Sequence, residues 1–397
     1  MSDVRAQYEA YPYPPRDPAE EATRLITGSP SDPREIDHFL FGGGRDWSQP
    51  LTALFAGGGT GDGLIQLATL LAQAGRPYEI TYLDLSTASR AVAEARAKAR
   101  GLTGIRFETG SLLDAAEYGR FDYIDCCGVL HHLPDPAAGF EALAAACAPE
   151  GGLGFMVYAP YGRSGVYPLQ EAFGLLLEGL SPQDRLARAK QIYDKLPDGH
   201  PIKCNPHLVD HQTSDAGFYD LLLHSQDQAF SVDRLLAMLD ETGWGFAGFV
   251  EAAAYDPNRY APQPDGLSAA QSMALAEKLN GTMKVHVGYA RPQGAEPPRR
   301  SADAIPHLRG IAPAMLAKAI AQGKAIPIKR GGETVRVPLP KAAAPLIAGI
   351  NGRRSVAEIM ALAKMPAPEA DRLWLAVDTA LTGWGILLYS NLLKGMR

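Results

Sequence analysis

The sequence predicts an α/β protein organised on one doubly wound parallel sheet, with a capping segment before it and a small α+β module after it. Three observations carry this. The stretch LTALFAGGGTG, Leu51 to Gly61, runs from an apolar strand-like segment into a glycine cluster, and then into the helical stripe of Leu64, Ile65, Leu67, Ala68 and Leu71. Strand-like and helix-like segments then alternate as far as Pro160, the pattern of a parallel sheet with right-handed crossovers. Finally, 397 residues at 46% hydrophobic composition can bury a large core and suggest two or three domains.

A net charge of −6 argues against nucleic acid as the main partner. The N-terminus lacks the charged, apolar and small-residue progression of a signal, and no apolar run is long enough to span a bilayer. No membrane partner is therefore expected, and the cytoplasm is the expected compartment. The four cysteines, Cys126, Cys127, Cys147 and Cys204, form no C-x-x-C pair. Neither a disulfide framework nor a zinc site follows from them.

Residues 1–50 read as a cap or lid. Tyr8, Tyr11 and Tyr13 interleave with Pro12, Pro14 and Pro15, and prolines impose an extended course in which tyrosines can close over a bound molecule. The Gly42 to Gly44 run after Phe41 reads as a hinge into the first strand. At the turn itself, glycines allow a ligand to lie against the main chain where a strand meets a helix amino end. A dinucleotide fingerprint requires a third glycine where Asp62 or Leu64 stands, so the spacing is instead the G-x-G-x-G of Gly57, Gly59 and Gly61.

A second strand, Tyr78 to Leu85, carries Asp84 at its end, where a carboxylate can accept hydrogen bonds from both ribose hydroxyls. Ser86 is a good cap for the helix that follows, Ala88 to Arg100. The third strand, Ile105 to Glu108, leads to Gly110, Ser111 and Leu112. The fourth starts at Phe121 and ends in Cys126, Cys127, Gly128, Val129, Leu130, His131 and His132, with a helix opening near Pro136. Adjacent side chains diverge, so the paired histidines suggest loop packing or a general base, and no metal is expected. A fifth strand runs from Leu153 to Pro160, and Tyr158, Tyr161, Arg163 and Tyr167 stand at the same sheet edge as acceptor-pocket candidates.

The glycine turn resembles the first motif of class I S-adenosylmethionine-dependent methyltransferases, and Phe121 to Pro136 is similar to the fourth-strand motif of that class. The resemblance implies a Rossmann-like methyltransferase sheet binding S-adenosylmethionine through Ala56, Gly57, Gly58, Gly59, Thr60, Gly61, Asp84, Leu85, Ser86, Gly110, Ser111, Leu112, Cys127, Gly128, Val129 and His132. Ser111 and Leu112 take the adenine-contact place. Phe55 departs from the class, which commonly has an acidic residue there.

Beyond the fifth strand, Pro168 to Lys190 reads as helical, followed by an irregular stretch; together, residues 168–230 form an insertion suited to covering an acceptor. His224, Ser225, Gln226 and Asp227 make a polar turn before a helix that begins at Ser231. That turn and the segment Leu279 to Ala290 resemble the carboxyl half of a bacterial methyltransferase subgroup that opens with a Tyr-Pro-Tyr-Pro segment. The methyltransferase domain is thus expected over residues 51–290 and a Pro/Gly linker over 291–305. Residues 306–397 loosely resemble a winged-helix module, for which packing, homodimerisation or peptide recognition is expected ahead of DNA binding.

The expected activity is methyl transfer to a small-molecule nucleophile, with His132, Tyr161 and His224 as candidate bases and Tyr8, Tyr11, Tyr13, Tyr158, Tyr161, Arg163, Tyr167, His224 and Asp227 contacting the acceptor. The alternatives are a peptide acceptor docked by the C-terminal module, or a non-catalytic S-adenosylmethionine-binding regulator.

Overall fold

The computed structural model describes residue 9 and residues 11–300, 303–330 and 333–395. Its centre is a seven-stranded sheet of β1 (Leu51–Ala56), β2 (Tyr78–Asp84), β3 (Ile105–Thr109), β4 (Phe121–Cys127), β5 (Cys147–Tyr158), β6 (Trp244–Phe249) and β7 (Val285–Pro292), in the order β3-β2-β1-β4-β5-β7-β6. The first five strands are parallel, and β7 lies antiparallel between β5 and β6. Leu51 pairs with Tyr78 and Ala56 with Leu83. This register brings the turn after β1 beside Asp84 at the end of β2.

Alternation along β1 divides the core. Leu51, Ala53 and Phe55 face one layer, with Ile36 and Leu40 of α1 (Pro33–Phe41) and Leu64, Leu67 and Leu71 of α2 (Asp62–Gln73). Leu54 and Ala56 face the other, with Phe140 and Leu143 of α4 (Pro136–Ala146). Between these, α3 (Thr87–Ala99) follows β2 and is capped by Ser86, whose Oγ accepts from the Ser89 N–H at 3.1 Å.

The predicted helical run from Pro168 is broken. It forms α5 (Val166–Leu176) and α6 (Pro182–Asp194), because Gly179 sits at φ +76° and Ser181 with Pro182 starts a fresh helix. The irregular stretch holds two single turns, α7 (Pro201–Cys204) and α8 (Asp210–Thr213), before α9 (Asp215–Leu222). This cover has a core of its own around Phe173, Leu186, Phe218 and Leu222. The polar turn, α10 (Val232–Glu241) and α11 (Ala269–Asn280) complete the unit built on this sheet.

The C-terminal unit comprises β8 (Pro306–Leu308), α12 (Pro313–Ala321), β9 (Ile326–Arg330), β10 (Glu333–Val337), α13 (Ala344–Gly349), α14 (Val356–Leu362), α15 (Ala367–Thr382) and β11 (Leu387–Tyr389). β9 and β10 form a hairpin, and β8 pairs antiparallel with β11. Two expectations about the connections change. The end of the linker is not a free spacer, since Ala304 and Ile305 are buried and their carbonyls accept from the Val356 and Ser390 N–H groups. The Gly42 to Gly44 run is not a free hinge either: a Cβ on Gly43 would stand 2.8 Å from that of Tyr389, so the glycine is required for close packing of the two units. Among the described residues, no helix is long and apolar enough to cross a membrane.

Candidate active site

The glycine turn adopts backbone angles that side chains resist, with φ of +75° at Gly57, +51° at Gly59 and +94° at Gly61. Space is tight as well: a Cβ on Gly57 would meet Val129 at 2.5 Å, and one on Gly58 would meet the Tyr82 ring at 2.5 Å. Asp84 ties the turn to β2. Its Oδ2 accepts from the Gly59 N–H at 2.8 Å and its Oδ1 from the Ser86 N–H at 2.8 Å. Burial raises the Asp84 pKa, while these two amides pull it back. From below, the Tyr82 hydroxyl donates to the Gly59 carbonyl at 2.7 Å, and buried Arg96 donates to the Thr60 carbonyl at 2.8 Å. Leu85 is half-buried beside Asp84, and Ser86 is spent on the α3 cap. Ser111 likewise caps a short turn, its Oγ accepting from the Leu113 N–H at 3.1 Å, with Gly110 held to the Asp84 carbonyl and Leu112 buried.

The N-terminal segment lies across this turn. The Thr60 hydroxyl donates to the Pro14 carbonyl at 2.8 Å, and the Tyr13 carbonyl is 3.4 Å from where a Gly59 Cβ would be. Arg16 pairs with Asp62 at 2.6 Å, and Asp62 also accepts from Arg96 at 2.7 Å. Further out, Glu9 accepts from the Thr87 N–H at 2.7 Å, and Tyr11 stacks on Tyr219 of α9 with ring centroids 5.2 Å apart. Tyr13 is mostly buried, which raises its phenol pKa, and it feels the charges of Asp210, Asp220, Arg16 and Arg163. Tyr8 lies outside the described residues.

The end of β4 forms the facing wall. Ala56 is buried and Cys127 opens to solvent although protein surrounds it; burial raises its thiol pKa, and all four cysteines are free. Gly128, at φ +82°, and Val129 lead into the two histidines. His131 stacks on Tyr158 at 3.8 Å, and His132 stacks on His224 at 3.7 Å. The His132 Nδ1 lies 2.9 Å from the Gln226 carbonyl oxygen, and the His224 Nδ1 accepts from the Gln226 N–H at 3.1 Å. Burial depresses the His132 pKa to about 3, against the Gln226 hydrogen bond, and holds that of His224 well down too. Both rings are therefore neutral near pH 7.

The remaining acceptor candidates divide. Arg163 is buried and donates to Asp227 at 2.9 Å and to the Tyr167 hydroxyl at 3.0 Å, with its guanidinium 3.5 Å above the Tyr158 ring. Burial works against its charge, but Tyr158 and Asp227 outweigh burial and keep it protonated. Tyr161, expected beside them, takes no part in these stacks among the described residues and is 37% exposed on the turn after β5. That turn carries Arg163 inward and leaves Tyr161 facing out.

Sequence reasoning missed Asp220, which accepts from the Tyr158 hydroxyl at 3.3 Å and meets His132 and His224 with one nitrogen or oxygen of each within 4.8 Å of the others. It stands inside an apolar helix with no motif around it. Three such groups can hold a metal ion, but the His224 Nδ1 is already an acceptor, so its neutral ring carries the proton on Nε2. The donor set therefore suits proton handling better than metal ligation.

With this geometry in view, residues 54–153 match the family described as "Methyltransferase domain". A Synechococcus sp. (strain ATCC 27144 / PCC 6301 / SAUG 1402/1) protein described as "Uncharacterized protein syc1184_c" is 33% identical over 277 residues, covering 66% of this chain and 63% of that protein. The chain thus spans less than two thirds of that relative's length. Among solved structures, PKMT2 from Rickettsia typhi is similar at 15% identity and a TM-score of 0.63, over 92% of this chain and 76% of that one. Its complex with AdoHcy is similar at 14% identity and a TM-score of 0.60, over 91% and 75%. At these identities the likeness is one of fold. The glycine turn, Asp84 and the β4 wall all fall within residues 54–153, the part of the chain that matches the methyltransferase-domain family.

Proposed function

We propose that this protein transfers a methyl group from S-adenosylmethionine to a nucleophile enclosed between the β4 wall and the cover. The observation that carries the reading is the Asp84 carboxylate bonded to the glycine turn at 2.8 Å, with Gly57 and Gly58 too closely packed to carry side chains. A glycine-rich turn beside a half-buried carboxylate fits an adenosine with its ribose hydroxyls on Asp84. AdoHcy, the partner of PKMT2 in the Rickettsia typhi complex, is the demethylated form of the same donor.

In this reading Ala56 to Gly61 cradle the methionine part, Asp84, Leu85 and Ser86 flank the ribose, Gly110 to Leu112 edge the adenine, and Cys127 to Val129 and His132 face the methyl. Bound there, the donor supplies a methyl already activated by its sulfonium charge. The chain's own work is positioning, which in favourable cases lowers a barrier by about 7–11 kcal/mol. Tyr13 closes the cleft from above and, with Pro14 and Tyr11, makes residues 1–50 a lid that excludes water. His132 offers an unprotonated nitrogen as the base, His224 and Asp220 orient around it, and Arg163, Tyr158, Tyr167 and Asp227 shape the acceptor wall. The acceptor is a small molecule. A peptide acceptor finds support in a cavity of about 490 Å³ between His207 of the cover, Met283 and Trp384 of the winged-helix-like C-terminal unit.

Calorimetry is expected to give S-adenosylhomocysteine binding near one per chain, weakened at least tenfold by Asp84→Ala. Unchanged affinity in that variant would sink the ribose assignment, and transfer of labelled methyl into any acceptor would exclude a purely regulatory role.

A further inference from the structure

The Gln226 backbone contacts both stacked imidazoles and sets how they present themselves. Its carbonyl oxygen cannot donate, so the His132 Nδ1 at 2.9 Å carries the proton and the His132 Nε2 is bare. Its N–H donates to the His224 Nδ1 at 3.1 Å, so that ring carries its proton on Nε2. The neighbourhood is rich in groups that accept hydrogen bonds. The Asp220 carboxylate takes the Tyr158 hydroxyl at 3.3 Å, while the Asp227 Oδ1 and the Gln226 Oε1 are buried without a partner among the described residues. The guanidinium of this site, Arg163, is already engaged by Asp227, Tyr167 and the face of Tyr158.

From this arrangement we infer that the group methylated is an amine, held with its N–H bonds toward the His132 Nε2 and the Asp220 carboxylate. The inference rests on the methyltransferase reading above and narrows it to a nitrogen acceptor. Oxygen and sulfur nucleophiles react best as anions, and an anion formed here would face a buried carboxylate with the nearby guanidinium already spent. An amine reacts through a neutral lone pair and becomes positive as the bond forms, which the same carboxylate favours. The balance is simple. An arriving ammonium gives one proton to water, the nitrogen lone pair forms the N–C bond as the S–C bond breaks, and that electron pair stays on sulfur as a thioether. The positive charge passes from sulfur to nitrogen.

The test uses the full chain saturated with S-adenosylhomocysteine and titrated with n-butylammonium, n-butanol and butyrate in turn. The ammonium is expected to bind at least about tenfold more tightly than the alcohol, butyrate not to bind, and Asp220→Asn to erase the preference while leaving S-adenosylhomocysteine affinity unchanged. Ammonium binding that is absent, equalled by the alcohol or butyrate, or indifferent to Asp220→Asn overturns the inference. Failure to bind S-adenosylhomocysteine at all would instead remove the methyltransferase reading beneath it.

Discussion

Asp125 shows how much a single buried residue can set. It sits in β4 one strand from the turn, accepts from the Ser31 hydroxyl at 2.7 Å, lies 2.7 Å from the Tyr123 hydroxyl, and is 4% exposed. Burial raises its pKa to about 6, with the two hydroxyls opposing. An unfolded aspartate titrates near 4, so between about pH 4 and 6 the folded chain holds a proton that the unfolded chain has lost. The stability due to that proton is complete below about pH 4 and lost as the pH rises through about 6. Asp125→Asn keeps the hydrogen bonds without the charge. It should gain on the parent protein by about 1–3 kcal/mol between pH 4 and 7, in urea unfolding at both pH values; a pH-independent difference would refute the account. The acidic residue was visible in the strand, but its isolation was not, because Ser31 arrives from a segment far away in sequence.

At the scale of elements, the N-terminal strap and the glycine turn work as one unit. Arg16, Asp62, Arg96 and Glu21 form a mostly buried ion network that fixes the base of the strap, with Arg96 to Glu21 at 2.6 Å. The part over the turn is held more lightly, by Thr60 to the Pro14 carbonyl and by Tyr11 on Tyr219. In the proposed lid, opening would pivot on residues 16–21, and Tyr13 would govern escape of whatever lies beneath. Tyr13→Ala should release S-adenosylhomocysteine about tenfold faster, roughly 1.4 kcal/mol of lost closure. Stopped-flow displacement would show it, and an unaltered release rate would mean that the strap is only a surface covering. Proline spacing made the absence of a regular helix over Tyr11 to Pro15 legible in the sequence, but the segment bends at Tyr11, Tyr13 and Pro14 where an extended course was expected. The tyrosines' partners were not legible, since Tyr219 belongs to the cover.

Across the whole molecule, the C-terminal unit is docked on α1 more firmly than a tethered module would be. Asp37 is fully buried and accepts from the Trp47 Nε1 at 2.8 Å, the Ser390 hydroxyl at 2.8 Å and the Asn391 N–H at 2.9 Å. Arg309 pairs with buried Glu35, Arg76 donates to the Leu392 carbonyl at 2.8 Å, and the Ala253 N–H donates to the Gly383 carbonyl at 2.8 Å. Seams of this kind unfold together. A single calorimetric transition is expected, and Asp37→Ala, which strands several buried donors, should cost about 3 kcal/mol or more. Two separate transitions, or an unchanged Tm in the variant, would show the units to be independent.

By itself the sequence determined the parallel strands, the glycine turn and the carboxylate of Asp84, because hydrophobic period and glycine geometry are local properties that a short window carries. The antiparallel β7, the docking of the C-terminal unit and the meeting of His132, Asp220 and His224 were decided only by tertiary structure. His132 and the backbone of Gln226 that sets its proton are 94 residues apart. What joins them is the packing of the cover against the sheet edge, and no local pattern encodes which buried polar atoms end up as neighbours.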